Sequence, residues 1–222
     1  MIVLAGTIGA GKSSLAKALG EHLGTQVFYE SVDNNPVLDL YYKDPKKYAF
    51  LLQIYFLNKR FESIKAAYRV NNNVLDRSIF EDELFLTLNY KNGNVSKTEL
   101  EIYQELLANM MEELDNMPKK APDLLVYIDV SFETMLARIQ ARGRDYEQID
   151  NNPELKAYYQ QVHSEYPGWY DAYKVSPKLR INGDELDFVN NSSDLKTVLE
   201  SIDAELLKLG TQFVENQKDS TD

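Results

Sequence analysis

Short apolar stretches alternate along the chain with longer segments in which apolar residues recur every three or four positions. Several of the short stretches are almost continuously apolar, as in parallel strands that are covered on both faces. The longer segments have the periodicity of helices. This alternation predicts an α/β fold with a parallel sheet flanked by helices. The five predicted strands are residues 2–6, 26–30, 73–76, 124–129 and 178–181.

Seven helices are predicted between and after these strands. Ser96 and Glu99 have the spacing of a capping box, which marks the start of the fourth helix. We expect residues 1–209 to form one domain, and the polar residues 210–222 to form a flexible tail. The predicted helices are residues 12–23, 45–70, 78–90, 97–117, 132–142, 153–173 and 193–209.

Composition and charge exclude several kinds of binding partner and metal site. The 222 residues and the hydrophobic content of 44% suit one globular domain with a substantial core. A formal net charge of −11 argues against nucleic acid or an anionic membrane surface as the main partner, because such binding depends on clustered Lys and Arg. The sequence contains no cysteine, which excludes disulfides and thiolate metal sites. With no apolar run of about 18 residues and no leader pattern, we expect a cytoplasmic protein.

A glycine-rich turn, GTIGAGKS, lies between the first predicted strand and the first predicted helix. Its pattern, G-x-x-x-x-G-K-S, is that of a P-loop, in which backbone N–H groups and a helix N-terminus surround the phosphates of a nucleotide. We expect Lys12 to reach the β- and γ-phosphates and Ser13 to bind Mg²⁺. The predicted ATP-binding residues of this turn are Gly6, Thr7, Ile8, Gly9, Ala10, Gly11, Lys12, Ser13 and Ser14.

Charged residues end the second and third predicted strands, at the edge of the sheet where ligands of open α/β folds bind. Glu30 ends the second strand, where a carboxylate would repel a phosphorylated acceptor and would suit a neutral alcohol that must lose its proton. Asp76 and Arg77 end the third strand. We expect Asp76 to hold Mg²⁺ through water and Arg77 to lie between Glu30 and the transferred phosphate.

Polar residues on two helices are candidates for recognition of the acceptor. Gln53 and Arg60 are seven residues apart, which places them on one face of the helix 45–70, among aromatic residues. This combination suits the edge of a heterocyclic base. Asp82 lies about a turn into the next helix, within reach of the same cleft.

Three arginines follow the fourth strand in the segment MLARIQARGRDYEQ. Arg138 and Arg142 are one helical turn apart, and Arg144 comes just after Gly143, with no acidic residue among the three arginines. We interpret them as a mobile lid that closes over the donor phosphates, stabilises transition-state charge and excludes water.

In this order and spacing the motifs resemble the deoxyribonucleoside kinase family, whose members phosphorylate the 5′-hydroxyl of deoxynucleosides. The resemblance extends from residue 2 to about residue 209 and rests on GxxxxGKS, Glu30, the YFL helix with Gln53, DRS and RxxxRGR. The stretches VDNNPVL, DPKKYAFLLQIYFLNKR and DRSIFEDELF look closest to the deoxyadenosine and deoxyguanosine kinases of Gram-positive bacteria. The resemblance implies a P-loop kinase fold with an arginine-bearing lid, ATP as donor and Mg²⁺ as cofactor.

The resemblance also implies roles for single residues. It implies that Glu30 is the general base or an orienting group at the 5′-oxygen, and that Arg77 contacts that region and the phosphoryl group. Asp76 stands where many relatives have Glu, because this chain reads DRS in place of ERS. The remaining implied contacts are Tyr42 and Glu147 with the sugar 3′-hydroxyl, Gln53, Arg60 and Asp82 with the base, Arg138, Arg142 and Arg144 with the donor phosphates, and Asp187 and Phe188 with the donor adenine.

Some alternatives stay open at this point. A nucleoside monophosphate kinase of the thymidylate-kinase type would want a cation where Glu30 stands, and a regulatory GTPase would need NKxD where this chain has NKRF at 58–61. Deoxyadenosine is favoured as the acceptor, with deoxyguanosine and deoxycytidine as alternatives. Family members are usually dimers, so we expect a homodimer or a heterodimer with a close relative, joined through the helices 45–70 and 97–117.

Overall fold

Five parallel strands form one sheet, in the order β2-β3-β1-β4-β5, in the computed structural model, which describes residues 1–32, 35–67, 73–115, 121–150 and 152–210. The sequence prediction of a parallel α/β sheet is therefore confirmed. The predicted strands 2–6 and 26–30 end earlier than expected, so that Gly6 and Glu30 lie just beyond the sheet. The strands are β1 Ile2–Ala5, β2 Gln26–Phe28, β3 Asn73–Asp76, β4 Leu124–Asp129 and β5 Lys178–Asn182.

The described residues form eight α-helices, and each of the seven predicted helices overlaps one of them. One further helix, at 38–43, was not predicted, since six residues are too few to establish a helical period. The predicted ends at residues 70 and 117, and the predicted tail 211–222, lie outside the described residues. The helices are α1 Lys12–Leu23, α2 Leu38–Lys43, α3 Pro45–Ala67, α4 Asp82–Lys91, α5 Lys97–Asp115, α6 Phe132–Arg142, α7 Pro153–Ala172 and α8 Ser192–Lys208.

The prediction of one continuous helix over 78–90 is wrong. Ser78 caps a 3₁₀ turn, Ile79–Glu81, and α4 begins only after that turn. The reason is a capping box, in which the Ser78 hydroxyl accepts from Phe80 N at 3.0 Å and the Glu81 carboxylate accepts from Ser78 N at 2.8 Å. The turn holds Glu81 at the end of β3, inside the protein.

Side chains of the central strand alternate between two hydrophobic cores. Ile2 and Leu4 face the core that α1 and α8 cover, whereas Val3 and Ala5 face the core covered by α3, α4 and α7. This alternation is the two-residue period of a strand, and here both faces are apolar because both are covered. Within the described part of the chain, no helix combines the length and the apolarity required to cross a membrane.

The parallel register brings the functional loops to one edge. Leu4 pairs with Asp76 on one side and with Val126 on the other, so β3 and β4 end beside the glycine-rich loop that follows β1. In open parallel sheets this carboxyl edge is where ligands bind.

Candidate active site

A cleft with an empty volume of about 1100 Å³, partly open to solvent, lies at the carboxyl edge of the sheet. Its walls come from the glycine-rich loop, the ends of β2 and β3, helices α2, α3 and α4, and the segment after α6. Most of the side chains predicted from the sequence meet here. The predicted residues that line the cleft are Ile8, Gly9, Lys12, Ser13, Glu30, Tyr42, Gln53, Arg60, Asp76, Arg77, Asp82, Arg142, Arg144 and Glu147.

The glycine-rich loop has a backbone that depends on its glycines at two positions. Gly9 has φ +76°, and a Cβ there would lie 2.9 Å from the carbonyl oxygen of Met135. Gly11, with φ +98°, precedes the first residue of α1. No side chain of the described residues caps this helix, so the first N–H groups of α1 remain available for an anion.

Lys12 folds back onto the loop. Its Nζ donates to the carbonyl oxygens of Gly6 at 2.8 Å and Thr7 at 2.9 Å. The side chain is buried, and burial lowers the pKa of Lys12 to about 8, with Arg77 contributing in the same direction. The ammonium group is therefore held inside the curve of the loop, beside the cleft.

Ser13 and Asp76 form a second pair at the base of the cleft. The Ser13 hydroxyl donates to Asp76 Oδ2 at 2.5 Å, whereas Asp76 Oδ1 is buried and has no hydrogen-bond partner among the described residues. Burial raises the pKa of Asp76, against the lowering effect of Lys12. A hydroxyl and a carboxylate with a spare oxygen are the hard oxygen ligands that Mg²⁺ prefers, so these residues fit the ion predicted for them.

Glu30 lies between two arginines. Its Oε1 is 2.8 Å from Arg77 Nε and 3.1 Å from Arg60 Nη2. Burial alone would raise the pKa of Glu30, but Arg77 and Arg60, with a contribution from Lys12, hold it below its ordinary value. The carboxylate is therefore ionised and able to accept a proton or a hydrogen bond from a hydroxyl group.

Arg77 has an unusual backbone that aims its side chain. Among the described residues it is the one non-glycine with positive φ, at +87°, and its N–H donates to Leu4 O at 3.0 Å. The guanidinium carbon lies 5.0 Å from the centre of the Phe85 ring. A non-glycine residue in this region costs of order 1–3 kcal/mol, a strain that is found mainly at functional sites.

Glu81 is a buried residue of the site that sequence reasoning missed. Its Oε1 accepts from Gly6 N at 3.1 Å and from the Tyr166 hydroxyl at 2.8 Å, and lies 3.4 Å from Arg77 Nη1. The same arginine nitrogen donates to the Tyr166 hydroxyl at 3.1 Å. The pattern Ser78-x-x-Glu81 could have revealed it, because this is the capping-box spacing that we applied at Ser96.

The wall that was predicted to hold the base contains a buried ion pair. Arg60 Nη1 donates to Asp82 Oδ1 at 2.8 Å, while Asp82 Oδ2 is buried without a partner among the described residues. Burial raises the pKa of Asp82 to about 7, against the lowering effect of Arg60. Gln53, also buried, lines the same cleft. The contact between Arg60 and Glu30 was not expected, and it links this wall directly to the predicted general base.

Two of the three arginines that were predicted to form a lid contact Glu147. Arg142 Nη2 donates to Glu147 Oε2 at 2.5 Å, and Arg144 Nη1 lies 3.6 Å from Oε1. Glu147, which is almost fully buried, lines the cleft together with Tyr42. The carboxylate predicted to bind the sugar, which follows the three arginines in the same segment, is therefore an acidic partner for two of them.

Arg138 lies apart from these two arginines and outside the lining of the main cleft. It donates to Ala10 O at 2.8 Å and to Gly183 O at 2.9 Å, and its guanidinium carbon is 5.9 Å from the centre of the Phe188 ring. Phe188 in turn covers Gly11. The neighbouring Asp187 accepts from the side-chain amide of Asn190. These residues form a surface beside the glycine-rich loop.

Comparison with known proteins agrees with this geometry. The family model described as Deoxynucleoside kinase matches residues 2–208. A deoxyguanosine kinase of Lactobacillus johnsonii is 58% identical over 210 residues, which cover 95% of this chain and 94% of that protein. A deoxyadenosine kinase of Lactobacillus acidophilus is 54% identical and is matched over 95% of this chain and 98% of its own length.

A solved structure has the same architecture. The deoxyadenosine kinase from M. mycoides with bound dATP superimposes with a TM-score of 0.75 at 29% sequence identity, covering 91% of this chain and 98% of that chain. The similarity therefore extends over most of the length of both chains.

Proposed function

The chain belongs to the deoxynucleoside kinase family, and from this premise we propose that it phosphorylates the 5′-hydroxyl of a purine deoxynucleoside, deoxyadenosine above all, with ATP and Mg²⁺. The observation that carries the proposal is Glu30, an ionised carboxylate in the cleft that also holds Lys12 of the phosphate loop. A nucleoside monophosphate kinase would need a cation at this position. The NKRF sequence at 58–61 lies inside α3 and not at a strand end, which disfavours a GTPase.

The proposed reaction transfers the γ-phosphoryl group to an alcohol. The 5′-oxygen forms a bond to the γ-phosphorus, the bond from that phosphorus to the bridging oxygen breaks, and ADP leaves with the electron pair. Glu30 accepts the proton of the hydroxyl, and Arg77 stabilises the charge that develops on the transferred group. Lys12 and the N–H groups at the start of α1 hold the β- and γ-phosphates.

Ser13 and Asp76 would hold Mg²⁺. When bound, the ion neutralises charge on the phosphate oxygens of the donor. The support for this assignment is the unpartnered Oδ1 of Asp76, which is buried next to the phosphate loop. Among the described residues no cluster of three or more His, Cys, Asp or Glu could hold a metal, so we expect phosphate oxygens and water to complete the coordination.

Support for deoxyadenosine comes from the polar atoms of the base wall, the part of the cleft lined by Gln53, Arg60 and Asp82. Arg60 already donates to Asp82 and Glu30, while Asp82 Oδ2 is an unused acceptor within the described part of the protein. Adenine presents an amino group, a donor, where guanine presents a carbonyl oxygen, an acceptor. An ionised Asp82 therefore favours adenine, and Gln53 supplies paired hydrogen bonds.

The other implied contacts complete the proposal. Glu147 and Tyr42 bind the sugar 3′-hydroxyl. Arg142 and Arg144, which contact Glu147, bind the donor phosphates in this proposal. On the donor side, Arg138, Asp187 and Phe188 form the surface against which the adenine of ATP rests. The support is that Arg138 and Phe188 both contact the phosphate loop.

A panel of acceptors tests the proposed function. The purified protein is incubated with Mg-ATP and each of deoxyadenosine, deoxyguanosine, deoxycytidine, thymidine and dTMP, and ADP release is measured. We expect kcat/KM to be highest for deoxyadenosine. ADP release stimulated by dTMP but by no nucleoside would refute the proposal.

We also propose that the protein acts in the cytoplasm as a dimer, with an identical or closely related partner. Candidates for the interface are the half-exposed apolar side chains of Leu51 on α3, Ile102 on α5 and Val175 just after α7. Light scattering of the wild type, Leu51→Glu and Val175→Glu tests the surfaces around Leu51 and Val175. The substitution that yields a monomer identifies the interface, whereas a monomeric wild type contradicts the proposal. Cell fractionation tests the location.

A further inference from the structure

Glu81 connects three parts of the active site that are far apart in the sequence. It is fully buried, and its Oε1 contacts the N–H of Gly6 in the phosphate loop, the guanidinium group of Arg77 and the hydroxyl of Tyr166 on α7. Its Oε2 accepts from Ser78 N at 2.8 Å. Every one of these contacts requires an oxygen acceptor.

Burying a carboxylate is costly unless it is paired and hydrogen-bonded, and a simple helix cap does not need to be buried. Glu99 shows the contrast, because it forms the same capping box with Ser96 on the surface at the start of α5. Glu81 does more than cap its turn. It fixes one end of the phosphate loop, and it also fixes the arginine that faces the acceptor.

We infer that Glu81 is a positioning residue of the kinase, which sets the distance between the donor loop and Arg77. Arg77 has a strained backbone, and such a conformation persists only where the surrounding structure holds it in place. Glu30 holds the Nε side of the guanidinium group, while Glu81 and Tyr166 hold Nη1. Because phosphoryl transfer depends mainly on alignment and electrostatics, a small shift of Arg77 relative to the loop slows the chemical step.

Glu81→Gln tests this inference, since it keeps the shape of the side chain. The amide has one oxygen, so either the Ser78 N–H or the group formed by Gly6, Tyr166 and Arg77 loses its acceptor. We expect kcat to fall by about tenfold or more, with the KM values for ATP and nucleoside changed by less than about threefold. The matched control is Glu99→Gln, which alters a capping box outside the cleft and should leave kcat within about twofold of the wild type.

A double-mutant cycle separates positioning from general stability. If Glu81 acts through Arg77, Glu81→Gln costs little further activity in an Arg77→Lys background, whereas a merely structural role gives multiplicative losses. The inference is overturned by a kcat for Glu81→Gln within about twofold of the wild type, or by independent effects in the cycle. If Glu81→Gln does not fold, Tyr166→Phe takes its place as the test variant. We expect kcat of Tyr166→Phe to fall by about threefold or more. An unchanged kcat would overturn the inference.

The inference rests on the kinase activity, and the assay keeps the two questions apart. A wild-type protein that phosphorylates no deoxynucleoside contradicts the proposed function. A fully active wild type with a fully active Glu81→Gln variant contradicts only the role of Glu81.

Discussion

At the scale of single residues, Arg60 and Arg77 both form ion pairs with Glu30 and lower the pKa of its carboxyl group. Arg77 faces the phosphoryl group in the proposed mechanism, and Arg60 faces the base wall. Glu30 is therefore kept ionised by the two residues that we propose to contact the phosphoryl group and the base. Sequence reasoning found all three residues, because each has a typical position relative to a strand or helix. It did not find that Arg60 contacts Glu30, since the direction of a side chain is not encoded in its spacing.

Glu30→Gln should abolish most turnover while sparing ATP binding. The amide cannot accept the proton of the 5′-hydroxyl, so we expect kcat to fall by about a hundredfold or more. The dissociation constant for ATP, measured by titration calorimetry, should change by less than about threefold, because the ion-pair partners of Glu30 are the two arginines and not the phosphate loop. The matched control is Glu62→Gln, an exposed carboxylate on α3 that pairs with Lys59. Full activity of Glu30→Gln would remove this residue from the mechanism.

The choice of base should depend on pH through Asp82. The pKa of this carboxyl is raised to about 7, so it is ionised above that value and protonated below it. The ionised form accepts from the adenine amino group, whereas the protonated form can donate to the guanine carbonyl oxygen. We therefore expect the ratio of kcat/KM for deoxyadenosine to that for deoxyguanosine to fall as the pH drops from about 8 to about 6.

Asp82→Asn is the control for this pH effect, because an amide does not titrate in this range. Its ratio of the two kcat/KM values should be the same across the pH range. A wild-type ratio that also stays constant would show that Asp82 does not choose the base.

At the scale of elements, the predicted strands and long helices were confirmed, while three short elements were missed. The missed elements are α2 and the two 3₁₀ turns Ile79–Glu81 and Asp145–Glu147, each too short to have a period of its own. All three matter for the site, since they carry Tyr42, Glu81 and Glu147, respectively. Short elements next to a site depend on local hydrogen bonds and tertiary packing, and sequence periodicity does not report these.

The glycine-rich loop gives a prediction at this scale. Gly9→Ala places a Cβ 2.9 Å from Met135 O at φ +76°, so the loop must move. We expect the KM for ATP to rise by about tenfold or more, because the N–H groups of the loop no longer converge on the phosphates.

Gly93→Ala is a matched control for the backbone strain. Gly93 has φ +72°, yet a Cβ there meets nothing within 4 Å, and the turn between α4 and α5 lies outside the cleft. Both variants should lose about 1–2 kcal/mol of unfolding free energy, measured by urea denaturation. Equal KM values for ATP in the two variants would show that the space around Gly9 does not matter.

At the scale of the whole molecule, the fold was predictable because the sheet is covered on both faces, which leaves a clear pattern of apolar runs. The position of the site was predictable too, because parallel strands bring their carboxyl ends to one edge. The ion pairs across the cleft were not predictable. Arg142 pairs with Glu147 and Arg77 lies beside Glu81, because the turns after α6 and β3 bring these neighbours together. Tyr166 reaches Arg77 only through the packing of α7.

The limits of the domain can be tested by truncation. The last described helix, α8, contributes the buried side chains of Val198, Ile202 and Leu206 to the hydrophobic core. Removal of residues 211–222 should therefore leave Tm within about 2 °C and kcat within about twofold of the wild type. Removal of residues 191–222 takes away three buried side chains, each contributing about 1.5–3 kcal/mol, a total comparable to the roughly 5–15 kcal/mol that stabilise a typical domain. We expect that this shorter chain does not fold, which circular dichroism would show. A folded and active fragment of residues 1–190 would mean that the domain ends before α8.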